Sequence, residues 1–479
     1  MGDLVPDTPS TPSTYVDGLA ALLRHDTRVK VAGIDTDGIL RGKVMAKDKF
    51  LSSAVKGFGM SSAIFGWDMH DVLYTTHTEI MSAEGGSSAD FIAIPDLKSF
   101  RRIPWEDGIP LFLLRYVSSN HQPVFADGRS MIRDICAQLE SLGYTAKVGT
   151  ELEFHNFQTP SEDGYSNREQ TRDLAGFLAK NGRKNLRPLT GGMFGYSISR
   201  PAMNRQYFYD IFDQSLEFGC ELEGWHTETG PGVFEAVTCL SDPHPSDLAT
   251  NVRRYLTKSI AIPYHITPCF MAKPIFGLPG NSGHIHISLL SPSGNNLFAR
   301  ESPDASAPYP DIVHLSDLGR HFLAGLLEAL PSIMPLLAPT INSYKRLVEN
   351  HWAPIHVSWG LEDRMSSIRM IGPPVSSASA TRFEVRIPGA DLHPHYAMAA
   401  VLGAGLRGIR KKLAVPVPPT NLRNVTELEL LPNTLEEAVK RFKASSSVAR
   451  DILGDEFVDF YAATREHELR SWREAVTDW

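Results

Sequence analysis

The stretch KVGTELEFHNF, residues 147–157, sets Glu151 and Glu153 one residue apart inside an otherwise apolar segment. In a β-strand, side chains alternate faces with a period of two. Val148, Thr150, Leu152 and Phe154 then point one way, and Gly149, Glu151, Glu153 and His155 the other. One face suits a core, while the other carries two neighbouring carboxylates. Taken alone, such a strand reads most simply as half-exposed with a wet polar face.

The pattern recurs. In GHIHISLL (283–290), Ile285, Ile287 and Leu289 alternate against His284, His286 and Ser288. In TRFEVRIPG (381–389), Phe383, Val385 and Ile387 alternate against Arg382, Glu384 and Arg386. In HTETGPGVFEAV (226–237), Glu228 and Glu235 bracket a Gly-Pro-Gly turn. Each segment alone has a plain structural explanation, a satisfied histidine pair or a solvated face with a salt bridge. Together they put five glutamates, two histidines and two arginines on strand faces. On one curved sheet those carboxylates repel one another unless divalent cations sit among them. Oxygen donors with an occasional imidazole suit Mg²⁺ or Mn²⁺, and a structural zinc site asks for cysteine or more histidine. Arginines beside such ions suit phosphate or carboxylate substrates through paired hydrogen bonds. The residues point to phosphoryl chemistry on polyanions.

The rest of the chain narrows the class. Its 479 residues allow one large or two medium domains, and 42% hydrophobic with 21% charged residues describes an ordinary globular composition. A net charge of -8 without a Lys/Arg block gives no sign of a nucleic-acid partner. Cys136, Cys220, Cys239 and Cys269 have neither metal nor redox spacing, which suits a reducing, cytoplasmic setting. No apolar run of transmembrane length occurs, so no membrane partner is expected. The start, MGDLVPDTPSTPSTY, lacks the pattern of a signal peptide, and Pro6 stands where a myristoylation motif wants Ser or Thr. Residues 1–14 read as a disordered Pro/Ser/Thr tail. RVKVAGIDTDGILRGKVMA (28–46) reads as a hairpin, AEGGSSAD (83–90) and IPDLKSFRRIPWEDG (94–108) as turn-rich, and IPLFLLRYV (109–117) as a strand. From residue 121 helical periodicity alternates with strands, LSDLGRHFLAGLLEALPSIMPLL (315–337) and HYAMAAVLGAGLRGIRKKL (395–413) being the most apolar helices. The fold class is α+β, with a small β-rich domain at 15–120 and a larger one at 121–479.

GTELEFHNF, HTETGPGVFEAV, MAKPIFGLPGNSGHIHISL, NSYKRLVENHWAP, WGLEDRMSSIR and RFEVRIPGADLHPHYAMAA together resemble the glutamine synthetase family, in its order and over most of the chain. The resemblance implies an N-terminal β-grasp domain and a catalytic domain whose curved antiparallel sheet, flanked by helices, forms a funnel. It implies a homo-oligomeric ring, a double-ring dodecamer or decamer, with sites at subunit boundaries. By motif, one metal would sit on Glu153, Glu228 and Glu235, and another on Glu151, His284 and Glu384. His286, Ser288 and Arg382 match ATP contacts. Arg364 and Arg369 match the arginines that handle the transferred phosphate, Arg369 on the nucleotide side. Gly280, Arg346 and Arg386 match the glutamate site, and Arg364, Arg346 and Glu384 carry the catalytic roles. The chemistry implied is phosphorylation of the glutamate γ-carboxylate by ATP, then displacement of phosphate by an amine.

Three positions depart from the ammonia-using pattern. Trp352, in ENHWAP, stands where a loop acid closes the site. Gly59 aligns with an Asp supplied by a neighbouring subunit, with Asp68 nearby but out of register. Met193, in GGMFGY, aligns with a Tyr. Tryptophan and methionine replace a polar cage with apolar area, which suits an amine bearing a hydrocarbon part. Val233 also replaces a common Gln of the Gly-Pro-Gly turn. The resulting expectation is a ligase forming a γ-glutamyl amide from glutamate and an organic amine, a polyamine, monoamine or ethanolamine-like compound. The alternatives are ammonia-dependent glutamine synthesis and a non-catalytic structural or regulatory assembly.

Overall fold

The structure, a computed structural model, describes residues 12–74, 80, 89–165, 172–238, 250–348, 353–422 and 427–476. A helix, Pro12–Leu22, starts inside the segment expected as a tail, whose residues 1–11 lie outside the described ones.

The hairpin forms as β1, Arg28–Ile34, and β2, Leu40–Ala46, paired antiparallel. Its turn is made by Asp35, whose Oδ1 accepts the N–H groups of Asp37 (2.9 Å) and Ile39 (2.8 Å), with Gly38 at φ +79°. With β3 (Phe58–Ser61), β4 (Asp90–Ile103) and β5 (Ile109–Val117) these strands make a five-stranded sheet in the order β2-β1-β5-β4-β3, β1 and β5 running parallel at its centre. Of the segments read as turn-rich, IPDLKSFRRIPWEDG lies mostly in the long strand β4, and AEGGSSAD lies mostly outside the described residues. The register of β4 slips between Asp96 and Arg101, and that irregularity accommodates the Pro- and Lys-containing sequence that looked like a loop. Arg465, buried on the helix Asp455–Glu474, pairs with Asp37 at 2.6 Å and ties the C-terminal helix to this hairpin.

The second sheet has eight strands. They are β6 (Thr145–Gln158), β7 (Leu222–Thr227), β8 (Val233–Thr238), β9 (Ile266–Cys269), β10 (Gly283–Leu290), β11 (Trp359–Leu361), β12 (Ile368–Ile371) and β13 (Arg382–Val385). The order is β11-β12-β13-β10-β6-β8-β7, with β9 alongside β6. Its pairs are antiparallel except β11–β12. One face is the core. Ile285, Ile287, Leu289, Phe383 and Val385 are fully buried, each contributing about 1.5–3 kcal/mol of burial. Over that side pack the helices Asp317–Leu337 and Pro394–Lys411. Their backbones approach closely at Gly325, where a Cβ would stand 2.2 Å from the Ala404 carbonyl oxygen. The other face of the sheet carries the polar residues of the motifs. No described helix is long and apolar enough to cross a membrane.

Candidate active site

Strand register assembles the site. Glu151 of β6 lies opposite His284 of β10, and Glu153 lies opposite Glu235 of β8, which in turn faces His226 of β7. Further along, His286 faces Glu384 of β13, and Glu384 faces Arg369 of β12. Directly opposed residues share a sheet face with Cβ atoms about 4.5–5.5 Å apart. Pairing therefore converts four local alternations into one surface of carboxylates, imidazoles and guanidinium groups. Parts of this face are buried: Glu235 is 7% exposed and Glu384 1%.

The surface lines a cavity of about 620 Å³. Glu151, Glu153, Glu228, Glu235, His284, His286, Gly280, Arg346, Arg364, Arg369, Arg382 and Arg386 all border it. Glu384 lies just beneath, held by Arg386, by Arg369 Nη1 at 3.0 Å and beside His284 Nδ1 at 3.3 Å. Ser288 is buried on the same strand face and does not border the cavity. Gly280 has to be glycine, because a Cβ there would meet the Ala272 carbonyl at 2.2 Å and Arg346 Cγ at 2.7 Å. Arg346 is anchored by the carbonyl oxygens of Arg386, Ile387 and Pro388. Arg369 bridges Glu384 and Glu362 (2.5 Å), and Arg382 Nε donates to His286 Nδ1 at 3.1 Å. Arg364 is exposed at the edge.

Two groups of donor atoms lie within 4.8 Å of one another: Glu151 with His286 and Glu384, and His226 with Glu228 and Glu235. They differ in part from the sets the motifs implied. His226 joins Glu228 and Glu235, whereas Glu153 turns to accept the Ser282 N–H at 2.6 Å. His284 Nδ1 stands 3.3 Å from both Glu151 and Glu384, so both histidines of β10 approach the other group. His226 opens the HTETGPGVFEAV segment, and its period-two relation to Glu228 was the signal that could have marked it.

The electrostatics fit divalent cations. Burial, then the charge of Glu228, pushes Glu153 up to about 7. Burial, opposed by the bond to His226 and reinforced by Glu151, Glu153 and Glu228, pushes Glu235 up to about 8. Burial also acts to raise Glu151, but hydrogen bonds from His284 and His286 hold it well below the carboxylate range. Carboxyl groups raised first by burial and then by one another's charge are groups a divalent cation would relieve. The oxygen-rich set with imidazole is the chemistry of Mg²⁺ or Mn²⁺.

The acceptor-side positions fare differently. Trp352 lies outside the described residues. Met193 is 50% exposed and absent from the cavity lining; Tyr196, which sequence reading passed over, borders the cavity instead. Gly59 sits on β3 of the first sheet opposite Ile92 and does not border this chain's cavity. Asp68 accepts from His467 Nε2 at 3.2 Å. Val233 is buried in the cavity wall.

The family described as glutamine synthetase, catalytic domain, matches residues 125–479. Type-1 glutamine synthetase 2 of Dictyostelium discoideum is 38% identical over 457 residues, 94% of this chain and 82% of the relative. Glutamate–isopropylamine ligase of a Pseudomonas species is 31% identical over 94% of this chain and 93% of its own length. The γ-glutamylethanolamide synthetase GlnA4 of Streptomyces coelicolor is 31% identical over 100% of this chain and 97% of its own. Among solved structures, apo GmaS superposes with a TM-score of 0.77 at 24% identity, over 96% of this chain and 97% of that one, a likeness of fold. The family match and these relatives define an ATP-dependent ligase joining a carboxylate to ammonia or an amine. The chain belongs to the glutamine synthetase family.

Proposed function

We propose that the protein joins the γ-carboxyl group of glutamate to an organic amine at the expense of ATP. The observation that carries the reading is the cavity itself, in which clustered carboxylates and imidazoles face anchored arginines. Arg346 and Arg386, beside the Cβ-free Gly280, would hold the glutamate carboxylate. Arg364 and Arg369 would offset the charge of the phosphoryl group in transfer. His286, Arg369 and Arg382 form the nucleotide side; Ser288, buried behind the cavity lining, is assigned there by the motif alone. Glu151, Glu153, Glu228, Glu235, His284 and Glu384, with His226 added by the structure, would hold two or more Mg²⁺ or Mn²⁺ ions, which lower the charge on ATP and the acyl phosphate when bound. ATP's γ-phosphoryl passes to the γ-carboxylate and releases ADP; the acceptor, bound as an ammonium, loses one proton to free its lone pair, its nitrogen bonds to that carbon, phosphate leaves, and the nitrogen gives up a second proton.

The amine reading is supported by Trp352 in place of a loop acid and by Val233, Val237 and Pro279 in the cavity wall. Relatives named for isopropylamine and ethanolamide chemistry support it further. Ammonia is the second reading, favoured by the 38% identity to a protein named as a glutamine synthetase. The intact carboxylate cluster speaks against a non-catalytic assembly, which has no physical need for it. A homo-oligomeric ring, dodecameric or decameric, follows the family. It is supported by Gly59's place outside this chain's cavity lining and by exposed Ile198, Met203 and Leu216. The test is phosphate release from Mg²⁺, ATP and glutamate with ammonium or a panel of amines. Faster release with at least one amine than with ammonium is expected. Release fastest with ammonium overturns the amine reading, and no release with any acceptor favours a scaffold.

A further inference from the structure

We propose that Tyr196 is a specificity-determining residue on the acceptor side of the cavity, selecting a primary ammonium that carries a hydrocarbon group over ammonium itself. The proposal rests on the carboxylate–amine ligase reading above and names the residue that discriminates between acceptors.

Three observations converge on it. The first is backbone conformation. Tyr196 has φ +56°, in the left-handed region that side chains with a Cβ disfavour. Such a conformation persists only where its surroundings fix it. Here Tyr196 N–H donates to the Thr227 carbonyl at 2.8 Å, Ser197 N–H donates to Thr227 Oγ1 at 2.7 Å, and that hydroxyl donates to the Phe194 carbonyl at 2.8 Å. Thr227 is buried and immediately precedes Glu228, so the loop is clamped beside a carboxylate of the site.

The second is where the ring goes. It stacks on His226 with centroids 4.4 Å apart and an interplanar angle of 29°. His226 Nδ1 and Nε2 stand 3.5 Å from Glu228 and Glu235 respectively. Tyr196 also borders the cavity, yet remains 66% exposed. A strained, clamped aromatic residue that buries so little of itself does little for the core, but it offers a flat apolar face next to a carboxylate.

The third is chemical complementarity. An alkylammonium can place its charged nitrogen at Glu228 and lay its carbon chain along the ring, gaining ion pairing, cation–π attraction and apolar burial. Ammonium gains the charge contacts and has no carbon to lay there. Val233 on the same wall, a side chain without hydrogen-bonding groups, extends the apolar surface.

The test uses the full-length enzyme with Mg²⁺, ATP and glutamate, and follows phosphate release over concentration series of ammonium, methylamine, isopropylamine, ethanolamine and putrescine. Tyr196→Gly and Tyr196→Asn remove the ring with residues that tolerate positive φ, so at least one keeps the loop in place. Tyr196→Phe keeps the ring. For the preferred amine, both ring-removing variants should lower kcat/KM roughly tenfold through a raised KM for that amine, several times more than for ammonium. KM for glutamate and ATP should hold, and Tyr196→Phe should behave like the parent. Equal losses for ammonium and amines, an unchanged amine-to-ammonium ratio, or a Tyr196→Phe as impaired as Tyr196→Gly would each overturn the proposal. A parent enzyme that prefers an amine while Tyr196→Gly keeps that preference defeats only the role of Tyr196. A parent that prefers ammonium defeats the amine reading along with it.

Discussion

Glu235→Gln separates a cation site from a buried structural salt-bridge network, because the two predict effects of opposite sign. Glu235 is 7% exposed and has a ligand oxygen within 4.8 Å of one on Glu228, with Glu153 directly opposite on the next strand. Two like charges at that distance repel by about 3 kcal/mol at an effective dielectric constant near 20. The attraction of His226, 3.5 Å away, offsets much of this. Burial adds to the cost of the charge, and the balance is a carboxyl pushed up to about 8. An acid raised in the folded state makes stability fall as pH rises from its unfolded value, near 4.5, through its folded one. At pH 8.5, in EDTA, the neutral amide should therefore stabilise the fold by about 1–2 kcal/mol, a rise of a few degrees in melting temperature. With Mg²⁺ the order should reverse. A cation that binds only the folded protein, at a hundredfold its Kd, stabilises the parent by about 2.7 kcal/mol, and the variant should gain little. The assay is thermal unfolding of both proteins with EDTA and across a Mg²⁺ titration. A variant less stable than the parent in EDTA, with an undiminished Mg²⁺ response, would refute the reasoning and leave Glu235 a structural partner of His226.

Gly280→Ala should raise KM for glutamate at least tenfold and destabilise the fold by about 1–3 kcal/mol, since the new Cβ overlaps the Ala272 carbonyl and Arg346; unchanged kinetics would mean that this loop does not shape the glutamate site. His393 caps the helix Pro394–Lys411 by accepting the Tyr396 N–H, and burial, with Arg254 nearby, lowers it to about 3. A depressed imidazole contributes stability above its unfolded value near 6.5 that is lost as pH falls toward the folded one. In His393→Asn, which preserves an N-cap acceptor, melting temperature should decline less steeply from pH 7 to 4.5; parallel slopes count against the assignment. Trp352→Glu should raise the ratio of ammonium to amine kcat/KM in the phosphate-release assay, and no shift would remove that residue from the acceptor argument.

Much of the site was legible because period-two alternation is local. GHIHISLL and RFEV announce which side chains share a face without reference to any other strand. Register is not local. That Glu153 meets Glu235, and that His286 meets Glu384, depends on pairing between segments far apart in the chain. Register sets both Glu153 and His226 beside Glu235, and the Ser282 N–H that holds the Glu153 carboxylate leaves His226 to join Glu228 and Glu235. Alignment by motif placed Met193 at the acceptor position, but the loop's left-handed turn carries Tyr196 to the cavity instead. Positive φ at a tyrosine has no sequence signal. β4 escaped notice for a related reason: Pro95 and a register shift interrupt the alternation that marks a strand, while its neighbours in the sheet keep it extended.

Glu384 is the joint between the two halves of the site, and its acceptor capacity sets how they communicate. Its Oε1 takes Arg386 and stands 3.3 Å from His284 Nδ1, while its Oε2 takes Arg369. Burial acts to raise this carboxyl, but the positive groups around it hold it below its usual value. An ionised carboxylate so committed has few lone pairs left for a cation. An anionic phosphate on the nucleotide side competes for Arg369, and whatever share of that guanidinium it takes returns acceptor capacity to Glu384. On the proposed reading, cation and phosphate therefore favour each other's binding through one buried carboxylate, and the coupling has to be reciprocal. The apparent Kd for Mg²⁺ should tighten when nucleotide is present, and Glu384→Gln, with its charge removed, should lose that coupling together with turnover. Mg²⁺ affinity indifferent to nucleotide in the parent would mean that the arginine and metal faces act independently.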